Sequence, residues 1–447
     1  MKKYILLSIA LILATISCQP EETITKTLDE ELKVAIQEKS KTGKLDYYVF
    51  PESDDYANLP FQDPANPATK EKVELGNMLF FETGLAQKNK YESCAESYSC
   101  GSCHIAAKGY LPGRIQGIAD GAHGFGADGE YRALAPGYLE TEIDAQGTRP
   151  MNILNSGYST VITWSGIFGA QGVNQNTQEH WVGLADVNYT GFMGLEAQNI
   201  EAFGLHRLDI NEKVLDEYGY RALYDDAFPD FIEAERYTPT TSSFAISAFL
   251  RSLLANRAPF QKYLKGNDNA LSENQKKGAL LFFGKAGCAN CHKSTALSAM
   301  EFHALGVPDM YQAYGDLALN TGPEDARNFG RAFFTKKDED MYRFKVPQLY
   351  NIKDYATFFH GSSHTTIEDV VDYKLNAQSE NPRVSNDILS SAFEPRTLTV
   401  EEKTNLIDFL RNGLYDSDIA RYTPASTLSG NCVPNNDPVS QDDLGCN

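Results

Sequence analysis

The sequence predicts an all-α fold made of two tandem copies of one helical unit, the first copy carrying long loop insertions. Three observations predict it. The order GxxLFF, CxxCH, FLR occurs twice, at residues 76–81, 100–104 and 246–253, then at 278–283, 288–292 and 406–413. Each FLR segment spaces its apolar residues as one helix face requires. Ser272 and Gln275 form a capping box that opens the helix carrying the second GxxLFF.

The chain begins with an export signal. Lys2 and Lys3 precede an apolar run over residues 4–14 and then TISC, a run too short to span a bilayer. Cys18 stands where small residues would mark cleavage, so residues 1–17 resemble a bacterial lipoprotein signal with Cys18 as the acylated first residue. Thr15 leaves plain secretion as the alternative. Residues 18–66 are a tether and N-terminal segment, and their acidic, Thr-rich start, QPEETITKTLDEE, is expected to be mobile. No later stretch is long and apolar enough to cross a membrane. The exported chain is therefore expected to be globular and soluble, periplasmic or held at the outer membrane by its lipid. A net charge of −20 argues against nucleic acid and suits a basic protein partner, although a solvated acidic surface gives the same sum.

The two CxxCH motifs carry the chemistry. In an oxidising compartment a bare CxxC tends to close into a disulfide. Two such pairs could give four thiolates to one zinc ion, but zinc has no use for a histidine fixed directly after each pair. In c-type haem attachment every residue has a role, since the thiols form thioethers with the vinyl groups and the adjacent imidazole reaches the iron. The chain thus predicts two covalently bound haems c, one on Cys100, Cys103 and His104 and one on Cys288, Cys291 and His292. The units are residues 67–256 and 257–415, followed by a tail over 416–447. Residues 107–199, rich in Gly, Asn and Tyr and without helical period, read as loops around the first haem. In the tail, a Cys432–Cys446 disulfide would close a loop otherwise too polar to fold, leaving Cys94 as a free thiol or as the true partner of either.

This duplicated layout resembles the bacterial di-haem cytochrome c peroxidases and the related MauG-type enzymes, over about residues 67–415. The most specific part is FKVPQLYNIKDYATFFHGSSHTTIEDVVDYK, residues 344–374, which is similar to the family's K-V-P-x-L-x-N and F-H-x-G blocks. RPMNILNSGYSTVITWSG, residues 149–166, resembles the family's P-x-x-L-N segment ending in F-W-D-G, which puts Trp164 where the family keeps a tryptophan between its haems. The resemblance implies that hydrogen peroxide is cleaved at the N-terminal haem. It also implies that the C-terminal haem takes electrons from a small donor protein, a cytochrome c or a cupredoxin. Two rival readings are a MauG-type oxidase acting on a protein partner and a di-haem electron carrier without peroxide chemistry. Reducing peroxide to water takes two electrons and such a donor gives one at a time, so a second haem serves as store and relay.

Peroxide cleavage needs a group that moves a proton between the two oxygens and a polar or cationic neighbour for the departing hydroxide. The family's glutamine matches Gln198. Its catalytic glutamate has no clean match, and either Glu201 or the pair His206 and Arg207 fills that region. His123 lies near where resting peroxidases carry a removable ligand to the first haem; a surface loop histidine is the alternative. At the second haem, the position of the peroxidases' methionine and the MauG-type tyrosine is Lys374, with Tyr373 beside it. A capping box of Thr365 and Glu368 would start a helix whose apolar stripe is Ile367, Val370, Val371 and Lys374, with Tyr373 about 100° away. Lys374 and Tyr373 are both candidates for the sixth ligand. The sequence leaves open the donor, the oligomeric state and a calcium ion between the units.

Overall fold

The computed structural model describes residues 26–446; residues 1–17 and Cys18, with the expected signal and lipid site, lie outside the described residues. The first LFF helix, Lys70–Phe81, starts at Thr69, whose hydroxyl accepts from the Lys72 amide. It crosses the first FLR helix, Pro239–Ser252, which Thr238 caps with proline in its first turn. Gly76 is the crossing point. A Cβ there would stand 1.9 Å from the Ala245 carbonyl oxygen, so only a glycine lets the backbones approach this closely.

The second half repeats the crossing. The second LFF helix, Glu273–Phe283, carries the expected Ser272–Gln275 capping box. It meets the second FLR helix, Val400–Asp408, which runs on through a wider turn at Phe409–Gly413. A Cβ on Gly278 would lie 2.0 Å from the Asn405 carbonyl oxygen. The phenylalanines repeat as well. Phe80 lies 5.6 Å from the Phe249 ring and 6.1 Å from that of His104, while Phe282 lies 5.7 Å from Phe409 and 6.4 Å from His292. Glycine sets the helix approach, and phenylalanine wedges the crossing against the CxxCH histidine.

Several expectations are corrected. The fold is helix-rich but not purely α. Ala122–His123 pairs antiparallel with Ala133–Leu134, and Ala299–Ala304 with Arg343–Val346. These ribbons pair backbone groups that loops held against the core would otherwise bury without partners. Between Phe81 and Gly194 the chain forms short 3₁₀ turns and the first ribbon, with no α-helix. Of the acidic start expected to be mobile, residues 19–25 lie outside the described residues, and its end instead enters a helix, Leu28–Lys39, opened by a capping box of Thr27 and Glu30. Its Leu32 and Ile36 are fully buried, and Asp29 pairs with Lys276 of the second LFF helix at 2.8 Å. The helix after residue 365 is capped by Thr366 accepting from the Asp369 amide, one residue later than the expected Thr365–Glu368 box. Around residue 256 the chain is packed into the core, with Leu253, Leu254, Ala255, Ala258 and Phe260 all fully buried. One apolar core joins both LFF and both FLR helices.

In the tail, Cys432 and Cys446 form a disulfide with a Cα–Cα distance of 5.9 Å, and Cys94 is a buried free thiol. The tail is sewn to the first CxxCH. The Pro434 carbonyl accepts from the Ser99 and Ser102 hydroxyls at 2.9 and 3.2 Å, and the Asp443 carboxylate accepts from the Phe125 and Gly126 amides. Among the described residues no helix is long and apolar enough to cross a membrane. Gly76→Ala should destabilise the protein by about 2–3 kcal/mol in denaturant unfolding, because the helices must separate. Gly204→Ala, where a Cβ would meet nothing within 4 Å, should be neutral or stabilising by up to ~1 kcal/mol. Equal effects would show that the crossing does not depend on glycine.

Candidate functional site

Each CxxCH is a tight turn in which the histidine amide bonds back to the first cysteine carbonyl, at 3.1 Å for His104 and 2.9 Å for His292. Each imidazole Nδ1 faces a backbone carbonyl, Tyr110 at 3.0 Å and Leu297 at 2.8 Å. A carbonyl can only accept, so Nδ1–H donates and Nε2 keeps its lone pair for a metal. Burial lowers both pKa values to about 4, so both rings are neutral at pH 7. Burial also pushes Cys100 to about 12, Cys103 to about 11 and Cys288 to about 12, so these are thiols and not thiolates. Among the described residues no three His, Cys, Asp or Glu side chains are grouped as a metal site, so the two CxxC pairs are not assembled into one zinc centre.

His104 lines a cavity of about 290 Å³ with an adjoining lobe of about 60 Å³. Helix Gly194–Leu205 supplies one wall, with Leu195, Gln198, Asn199 and Ala202 facing the space at i, i+3, i+4 and i+7. His206 ends that helix and also faces the cavity, with Nδ1 2.6 Å from the Asp144 carboxylate. Burial disfavours its imidazolium, but the charge and hydrogen bond of Asp144 outweigh this and hold its pKa above the usual histidine range.

The other candidates from the same segment are placed elsewhere. Glu201 is not among the lining residues; burial first, and Asp186 second, raise its pKa. Arg207 has φ +54°, and this left-handed step past the helix end turns its side chain onto Asp120 and the Glu142 carbonyl. His123 sits in the ribbon with Ala133 and is also absent from the cavity lining.

The cavity also holds two buried cations that sequence reasoning left unassigned inside its quoted motifs. Arg149 and Lys345 are each 4 % exposed, and burial lowers their pKa to about 10 and about 8. No carboxylate offsets either one, because Asp144 is committed to His206. Arg149 Nη1, Gln146 Oε1 and Ser156 Oγ, all on the lining, are buried without hydrogen-bond partners. Gln146 Oε1 can only accept and suits a donor, whereas the two cations with Arg149 Nη1 and Ser156 Oγ suit an anionic ligand, and the carboxylates of a haem above His104 fit them. Their only sequence signal was a cation embedded in apolar surroundings.

Trp164 lies at the seam between the halves. Its Nε1–H donates to the Arg149 carbonyl at 2.6 Å, its own carbonyl accepts from the Lys345 amide at 2.9 Å, and its ring meets those of Phe344 and His360 edge-on. Pro347, two residues after Lys345, lines the same cavity and places its carbonyl beside His292. One short segment therefore touches both histidine sites.

Helix Ile367–Asn376 sends its two candidates to different surroundings. Lys374 Nζ lies 5.4 Å from the Phe359 ring and 5.5 Å from that of Phe393. Burial lowers its pKa to about 8, and the Cys291 and Cys288 thiols are the ionisable groups that it senses. Tyr373 is buried, donates its hydroxyl to the Leu305 carbonyl, and borders an open cleft with Asp369, Asp372 and Glu380. Lys374 thus faces the second CxxCH, and the Tyr373 hydroxyl is already engaged.

Comparison with known proteins bears on this pair of sites. Residues 70–269 match the family model described as di-haem cytochrome c peroxidase. Cytochrome-c peroxidase IdrP1 of Pseudomonas sp. (strain SCT) is 26% identical over 364 residues, 77% of this chain and 81% of that protein. Methylamine utilization protein MauG of Methylorubrum extorquens is 25% identical over 350 residues, 77% of this chain and 79% of that protein. The crystal structure of a MauG-like protein associated with microbial copper homeostasis shares the fold, with a TM-score of 0.56 at 24% identity, covering 84% of this chain and 97% of that one. A haemochrome assay should count two covalent haems per chain, and Cys288→Ala with Cys291→Ala should remove one while the other stays attached. Zinc in place of iron, or a single haem in the unaltered protein, would overturn the assignment of both turns.

Proposed function

We propose, for a chain that belongs to the di-haem cytochrome c peroxidase and MauG family, that it is an exported peroxidase in which hydrogen peroxide is reduced to water beside His104. The observation that supports this reading is the His206–Asp144 pair, which shares with His104 a cavity also lined by the buried cations Arg149 and Lys345. A haem held by Cys100, Cys103 and His104 would supply the redox chemistry. The balance is one peroxide, two electrons and two protons giving two waters. His206 Nε2 takes the proton of the near oxygen and returns it to the far one, and the Asp144 carboxylate stabilises the imidazolium between those events. Gln198 orients the peroxide. Arg149 and Lys345 would hold the carboxylates of that haem, which offset their buried charge. Electrons enter at the second haem from a small basic donor protein, a cytochrome c or cupredoxin suited to the charge of −20, and pass the seam at Trp164. The lipid on Cys18 would hold the enzyme at a membrane surface in the periplasm.

One observation favours the MauG-type alternative. Lys374 is placed toward the second CxxCH, where the resemblance puts the peroxidases' methionine; as a ligand its amine would be a harder donor that would lower the potential of a haem there and ease access to its oxidised states. Lys374→Met should raise that potential and change the haem spectrum, whereas Tyr373→Phe should leave both alone. The opposite pattern would transfer the ligand to Tyr373.

His206→Ala should slow oxidation of the pre-reduced enzyme by peroxide about a hundredfold or more, and Glu201→Ala should not. The shuttle needs neutral His206, so the rate should rise with pH through a midpoint above 6.5. Removing the carboxylate by Asp144→Asn should move that midpoint to lower pH, and His206→Ala should abolish it. A midpoint that ignores both substitutions would take the proton shuttle away from His206.

A further inference from the structure

The arginines of the two FLR motifs put the halves into a common register. Arg251 pairs with Glu196, both buried, with Nη2 2.9 Å from Oε2. Arg411 pairs with Glu368 at 2.6 and 2.7 Å. Matching Glu196 to Glu368 lays helix Gly194–Leu205 on helix Ile367–Asn376 without a gap. Leu195, Gln198, Asn199 and Ala202 then coincide with Ile367, Val370, Val371 and Lys374. The first of these stripes faces the cavity that His104 lines. The two stripes end differently, in a methyl group at Ala202 and in an amine at Lys374.

We propose that Ala202 is the residue that leaves the far side of the first haem site open, as the counterpart of the Lys374 with which the second half closes its own. A methyl group has no lone pair and cannot ligate a metal, and its small size leaves space in front of it. Gln198 and His206 stand four residues before and after it on the same helix face, so that space is flanked by an amide and an imidazole. The arrangement suits a small polar ligand such as peroxide or cyanide. The division of labour between the halves thus rests on one side-chain difference at one registered position.

The proposal rests on the di-haem reading above, but not on peroxide being the substrate, so its test uses cyanide titration of the ferric holoprotein with EPR and visible spectra. The unaltered protein should show one high-spin haem that binds cyanide and one low-spin haem that does not. Ala202→Lys should abolish the high-spin signal and the cyanide uptake, whereas Ala202→Gly should keep both. Lys374→Ala should make the second haem high-spin and add a second cyanide. Two low-spin, cyanide-inert haems in the unaltered protein would overturn the proposal, as would an undiminished high-spin signal in Ala202→Lys with both haems retained. Should Ala202→Lys fail to retain haem, the titrations of the unaltered and Lys374→Ala proteins decide. If they follow the expected pattern but peroxide is not turned over, the peroxidase reading fails and the assignment of Ala202 stands.

Discussion

The close crossing of an LFF helix with an FLR helix, made twice, is the contact on which the rest of this structure depends. At each crossing a glycine lets one backbone touch a carbonyl of the other, Gly76 against Ala245 and Gly278 against Asn405. The approach leaves no slack, so the phenylalanines beside it are driven against the CxxCH histidines. Each histidine then turns Nδ1 to a backbone carbonyl, and His104 also borders the cavity. The FLR arginine, one turn further on, fixes the third helix through a glutamate. Helix approach, ring orientation and the placing of the distal helix follow from one constraint.

Joining the two halves imposes electrostatic cost in the same place. Arg149 and Lys345 are buried without anionic partners, an arrangement that costs several kcal/mol per ion unless a ligand supplies the charge. Lys345 is held there by its ribbon, and its amide bond to the Trp164 carbonyl ties that ribbon to the loops of the first half. The seam is therefore built from backbone pairing around two buried cations. The tail adds a further tie, because Pro434 grips the serines that flank Cys100 and Cys103.

Adjacent residues show how differently sequence and tertiary structure speak. His206 and Arg207 are neighbours and equal candidates in the sequence, yet a left-handed φ at Arg207 sends one to the cavity and the other to Asp120. Tyr373 and Lys374 separate for the simpler reason that successive helix residues point about 100° apart, which the apolar stripe made legible. The helix at Leu28–Lys39 was legible too, through Thr27 and Glu30, but the acidic composition of the segment masked the capping box.

The structure chose Cys432–Cys446 over a pairing with Cys94, while the sequence by itself determined the repeated unit, the helices that carry it, the two CxxCH turns and the face of the helix that bears Lys374. These are local properties, set by spacing, capping and periodicity within a few turns of chain. Tertiary structure alone decided that Asp144 meets His206 across 62 residues, that Lys345 and Arg149 share one cavity, and that Ala202 stands where its counterpart is Lys374. Loops without periodicity, such as residues 107–199, carry no local signal of where they end up. Their positions are settled by burial, by backbone hydrogen bonds and by charges that find partners far along the chain.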